Sequence, residues 1–205
     1  MLLHRAAFQG DKATIRELLN VLISTIIRDA NGWTLLHIAA SYGHTTVAQT
    51  LLANSANKDA RNYKGETLLF IAASRGLIFT VKALVDGGAN TEARDNNKRT
   101  ALYVVARHGF KAIARLLVDK GANKEARGNG GWAPLHAAAW HGHESVVRLL
   151  VDKGGDKEAR NNKRKTPLYI TARRGYKKVV LLLLEKRIDR NARACNGWTP
   201  LYTAA

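Results

Sequence analysis

The chain has 205 residues, enough for one domain or two small ones, and its 46% apolar content excludes wholesale disorder. Lysine and arginine number 33 against 16 aspartates and glutamates, a formal charge of +17 that favours acidic partners. No apolar run approaches the ~18 residues of a membrane helix. His4 and Arg5 fall where a secretory signal needs apolar residues, and the single Cys195 excludes an internal disulfide. The chain is therefore read as intracellular and reduced, cytoplasmic in the first instance and nuclear as the alternative. The charge is uneven: residues 1–100 hold 12 basic and 8 acidic side chains, residues 101–205 hold 21 and 8.

Leucine recurs 33 residues apart at Leu3, Leu36, Leu69, Leu102, Leu135, Leu168 and Leu201. Alanine keeps the same phase from Ala7 through Ala40, Ala73, Ala106, Ala139 and Ala172 to Ala205, and glycine from Gly10 through Gly43, Gly76, Gly109 and Gly142 to Gly175. One period without insertion or deletion organises the chain. It gives a partial unit at 1–28, full units at 29–61, 62–94, 95–127, 128–160 and 161–193, and a partial unit at 194–205. In Gly131 to Ala139, Pro134 stands where a helix begins and its missing N–H costs nothing. Thr166 and Thr199 precede the equivalent prolines and can cap the free backbone donors. The helix runs through small alanines to a glycine suited to a left-handed turn. A second helix follows, as in Glu144 to Leu150, with Val146, Val147, Leu149 and Leu150 as its apolar stripe. Polar stretches such as Lys157 to Asn162 then suit a hairpin-like turn.

These residues resemble the ankyrin repeat, whose signature includes Gly-x-Thr-Pro-Leu-His-x-Ala-Ala and, later, Gly-Ala-Asp or Gly-Ala-Asn. Gly32 to Ala40, Gly65 to Ala73, Thr100 to Ala106, Gly131 to Ala139, Thr166 to Ala172 and Gly197 to Ala205 carry the first half. Gly88-Ala89-Asn90 and Gly121-Ala122-Asn123 carry the second. The resemblance implies an all-α ankyrin-repeat solenoid, a single domain of helix-turn-helix units with protruding β-hairpin-like loops. It also implies a concave binding face made by loops and first helices. Departures include Lys98 and Arg164 for the loop glycine, Leu35, Leu68 and Ala101 for the proline, and Ala133 for the threonine. Phe70, Tyr103, Tyr169 and Tyr202 stand where histidine is usual.

No catalytic, cofactor-binding or metal-binding constellation stands out. His136 and His141 are five apart, the wrong spacing for two ligands on one helix face. His4, His37 and His136 share one repeat register, and His44 and His143 another, which the resemblance marks as hydrogen-bonded structural positions. Arg28, Arg61, Arg94, Arg127, Arg160 and Arg193 recur once per repeat at the loop. They form either a basic rail for an anion or a ladder paired with Glu92, Glu125 and Glu158 of neighbouring repeats. Residues 161–193 hold eleven cations, among them Arg187, against Glu185 and Asp189. Lys163, Arg164, Lys165, Arg173 and Arg174 of that repeat fall on the implied binding face, and Arg107 and His108 occupy the equivalent helix end two repeats earlier. Trp132, Trp140 and His141 join them; Trp33 and Trp198 are read as rings packed on adjacent loops, and for Trp132 and Trp140 the same reading stands beside that of an interface residue. The expected partner is another protein with an acidic surface. A nucleic acid or an anionic membrane surface, bound through the basic C-terminal half, is the alternative. A further expectation is that 1–205 is part of a longer array attached to other domains, with Val179, Val180, Leu182 and Leu183 less covered than their counterparts.

Overall fold

The computed structural model describes residues 2–14, 27–186 and 188–204, with side chains from Arg5 onward. Met1, Arg187 and the last alanine of the register, Ala205, lie outside the described residues. Contacts divide the chain into two compact units, Met1–Asn96 and Asn97–Ala205. In the N-terminal unit the first helices Leu2–Gln9, Leu35–Ser41 and Leu68–Ser74 pack in series, and the second helices Thr45–Ala53 and Ile78–Asp86 pack on each other. In the C-terminal unit the first helices Ala101–His108, Pro134–Trp140, Pro167–Arg174 and Pro200–Ala204 form one row. Lys111–Asp119, Glu144–Asp152 and Lys177–Glu185 form the second. Among the described residues there is no sheet beyond two isolated bridges, and no helix is long and apolar enough to cross a membrane.

The phase residues explain this packing. Ala40, Ala73, Ala106 and Ala139 have no accessible surface, and Leu36, Leu69 and Leu102 almost none. A small side chain lets two helix backbones approach, and the leucine beside it supplies the buried area, about 2 kcal/mol each. Thr166 and Thr199, expected as caps, take that role, and so do Thr34, Thr67 and Thr100: each side chain accepts the backbone N–H three residues on. Gly109 ends its helix at φ 78, and a Cβ there would lie 2.6 Å from His143 Nδ1, so both the turn and the close approach require glycine.

The loops are hairpin-like, as expected. Backbone bonds close them, such as Gly128 N–H to Trp132 O at 2.9 Å and Asn161 N–H to Lys165 O at 3.2 Å. Each also donates to the loop before it within its unit: Asn129 N–H to Asn97 O, Asn162 N–H to Gly130 O and Cys195 N–H to Lys163 O, at 2.9–3.1 Å. Lys98 and Arg164, which replace the loop glycine, keep its left-handed backbone at φ 59 and 55.

The coverage of the last full repeat meets the expectation at Val180, which is half-buried where its counterparts Val81, Ala114 and Val147 are buried, but not at Val179, Leu182 and Leu183, which are as buried as theirs. Val180 lines a cleft of about 290 Å³ with Leu168, Leu184 and Leu201. Leu201 is 81% exposed.

Candidate functional site

The buried histidines are structural, and their bonding fixes their tautomer. The Ala133 N–H donates to His136 Nδ1 at 3.2 Å, so Nε2 carries the proton and donates to Lys165 O of the next repeat at 3.1 Å. Burial pushes the His136 imidazole down to about 4. His37 repeats the arrangement, with Thr34 N–H on Nδ1 and Nε2 facing Glu66 O, and burial lowers it too. His44 and His143, the second register, donate from Nε2 to Phe8 O at 2.8 Å and Arg107 O at 3.0 Å. Among the described residues, no group of three His, Cys, Asp or Glu side chains could hold a metal ion.

Glu125 and Glu158 do not serve the ladder weighed from sequence, and four arginines of the column reach backbone carbonyls. Arg28 donates to Gly32 O at 2.8 Å and to Arg61 O at 2.6 Å, Arg61 to Gly65 O, Arg127 to Arg160 O, and Arg193 to Gly197 O. Glu125 accepts the Asp156 N–H at 2.8 Å and Glu158 the Asp189 N–H at 2.6 Å, each one repeat on. Arg28, Arg127, Glu125 and Glu158 thus stitch successive repeats through the backbone, whereas Arg61 and Arg193 bond within their own loops. Arg94 is exposed and belongs to the N-terminal unit.

The C-terminal unit brings together a subset of the sequence candidates. Arg107 and His108 lie in the exposed last turn of their first helix, while Trp140 ends the next first helix and His141 follows it. Arg107, Trp132, Trp140 and His141 line one cleft of about 320 Å³ together with Tyr103, Asn129 and Ala137. Trp132 is half-buried, its ring edge-on to Trp140 at 5.6 Å and 5.9 Å from His136. It thus packs against its own first helix, as Trp33 does against His37 and Trp198 against Tyr202. Trp140 is 36% exposed and carries the Arg174 guanidinium 4.4 Å above its ring. That cation–π contact joins two repeats. Lys165 lies 5.3 Å over the buried Tyr169 ring, whereas Lys163, Arg164 and Arg173 are exposed.

Sequence reasoning missed Tyr103 and Asn129 as cleft residues. Tyr103 was legible as the four-residue neighbour of Arg107 on one helix face; Asn129 carried no signal. The electrostatics are one-sided. Within residues 97–204 the loop segments 97–100, 128–133, 161–166 and 194–199 and the first helices hold Lys98, Arg99, Arg107, Lys163, Arg164, Lys165, Arg173 and Arg174 and no carboxylate, and Asp95, two residues before the first of these segments, is buried. The carboxylates of this unit lie on second helices and the turns after them, where Asp119 pairs with Lys153 and Asp152 with Lys186, both at 2.7 Å. Partial burial, then Arg107, lowers both His108 and His141.

A model of ankyrin repeats in three copies matches residues 3–95, 71–161 and 153–205. Among solved structures, the ankyrin repeat domain of Bcl-3, described as a unique member of the IkappaB protein family, is similar with a TM-score of 0.91. It is 26% identical, over 99% of this chain and 93% of that one. The ankyrin repeat domain of human ASB11 is similar in fold, with a TM-score of 0.89 and 24% identity over 99% of this chain and 91% of that one. A search of curated proteins finds no match. Repeat phase, helix pairs, hairpin loops and family match agree: the chain belongs to the ankyrin-repeat family, whose domains are general protein–protein interaction modules.

Proposed function

We propose that the chain is a non-enzymatic binding module that recognises an acidic segment of another protein through the loops and first helices of its C-terminal unit. The observation that carries this reading is the segregation of charge. Eight cations and no carboxylate occupy those loops and first helices, while the unit's acidic residues lie on the opposite helix row and its turns. Such a surface attracts anions and repels basic partners. The Trp132–Trp140 pair adds a rigid aromatic shelf inside the charged rim, the composition of an energetically dominant interface centre.

The test is capture of partners from cell lysate by the chain and by an Arg173→Glu/Arg174→Glu variant, at low and physiological salt. The reading expects a defined set of acidic proteins, bound more than tenfold more weakly by the variant. A second reading, a polyanion binder, draws on the cations of residues 161–178. It gains if capture is abolished by nuclease and falls steeply with salt. Equal capture by the folded variant removes this face from consideration.

A further inference from the structure

Arg107 and His141 line the cleft beside Trp140 and Arg174 lies over its ring, while His108 follows Arg107 at the end of the same first helix. His141 lies within the fields of Arg107, His143, Arg174 and His108, and His108 within those of Arg107, His143 and Arg99. No carboxylate figures among these influences, in keeping with the absence of acidic residues from the loops and first helices of this unit. The two imidazoles are also held in place. His141 stacks on His143 with ring centroids 5.9 Å apart and planes 16° from parallel, and His143 is itself fixed by its bond to Arg107 O. His108 stacks on Phe110 at 5.8 Å. Both rings are exposed at the surface.

We propose that Arg107, His108, His141 and Arg174 form a proton-coupled anion site: carboxylates of an acidic partner segment dock against the two arginines, and His108 and His141 take up protons from solvent as they do. The site rests on the reading above of an acidic protein partner, and adds that its affinity depends on pH. In the free chain partial burial, then the neighbouring guanidiniums, lowers both imidazoles and disfavours their protonated forms. A carboxylate brought to the cluster cancels part of that field and stabilises the imidazolium, so each docked carboxylate favours proton binding. By linkage the reverse also holds: once the histidines are protonated, the partner binds more tightly. The sign is fixed, with affinity rising as pH falls from about 7.5 to about 5.5, a range in which partner glutamates remain ionised.

The experiment uses the whole chain and a labelled peptide of glutamates around a central leucine, with affinity read by fluorescence anisotropy at pH 5.5, 6.5 and 7.5. Histidine titrations are followed by NMR with and without peptide. The expected result is about three- to tenfold tighter binding at pH 5.5 than at 7.5, with the His108 and His141 midpoints moving up on saturation. In a His108→Gln/His141→Gln variant the ratio of the two affinities falls towards one. Binding that is the same at all three pH values overturns the proton coupling and leaves the acidic-partner reading standing. A pH dependence that persists in the double variant overturns the assignment to these two histidines. Absence of peptide binding at every pH, or stronger binding of single-stranded DNA of equal charge, overturns the acidic-protein reading and this inference together.

Discussion

Replacing His136 with phenylalanine separates its hydrogen bonds from its ring. Phe70 occupies the same register in the second full repeat and is buried there, so a ring of this shape fits the fold. The substitution leaves the Ala133 N–H without its acceptor at a residue with no accessible surface, which costs about 1–3 kcal/mol. Lys165 O keeps the Asn161 N–H and loses less. At neutral pH the variant should therefore be about 2 kcal/mol less stable. Acid reverses the comparison. The wild-type imidazole titrates near 6.5 when unfolded and at about 4 when folded, so the unfolded chain binds the proton first. The histidine's contribution is complete above about pH 6.5, declines as pH falls and levels off below about 4, a loss of about 3 kcal/mol that the phenylalanine variant does not suffer. Urea unfolding at pH 7.5, 6 and 5, followed by tryptophan fluorescence and circular dichroism, should show the penalty shrinking steadily and vanishing near pH 5. A penalty of constant size across that range would refute the assignment of a buried neutral imidazole bonded at both nitrogens.

Three further substitutions probe other links. Ala139→Leu should overpack the contact between first helices and cost about 1–3 kcal/mol, with hydrogen exchange accelerating first in the helices adjoining it; a loss shared evenly by all repeats would contradict local packing. Arg164→Gly relieves a left-handed backbone at φ 55 and should raise stability by about 0.5 kcal/mol in thermal unfolding, whereas a loss would mean that the arginine side chain holds the loop. Lys153→Ala removes a 2.7 Å ion pair whose partners are both about half exposed, and denaturant midpoints should report less than about 1 kcal/mol.

Much of the fold is legible because burial and backbone conformation act on residue type. An alanine with no accessible surface recurs where helices touch, a threonine where a helix starts, and a glycine where φ turns positive, so the period reads as architecture. The threonine caps at Thr100 and Thr166 follow directly from this logic. The arginine column does not, because its acceptors are backbone carbonyls, which every residue type carries alike; the sequence shows a regular cation but not that Arg28 reaches across to Arg61 O. Likewise Glu125 and Glu158 look like charge partners and instead cap the next repeat's backbone. At the candidate site, the sequence marks Trp140 and Arg174 separately. Their contact depends on the offset between repeats, which places a helix-ending arginine over the ring 34 positions earlier. Tyr103 escapes for a related reason, since its register implies a structural residue while its ring lines the cleft.

The central claim is that the carboxylate-free row of loops and first helices is the surface that meets the partner. Hydrogen exchange on the chain, alone and saturated with a captured acidic partner, tests it most directly. The account predicts slowed exchange confined to residues 97–109, 128–142 and 161–175, with the second helices Lys111–Asp119, Glu144–Asp152 and Lys177–Glu185 unchanged. Protection concentrated on those second helices, with the tryptophan and arginine segments exchanging as in the free chain, would contradict it.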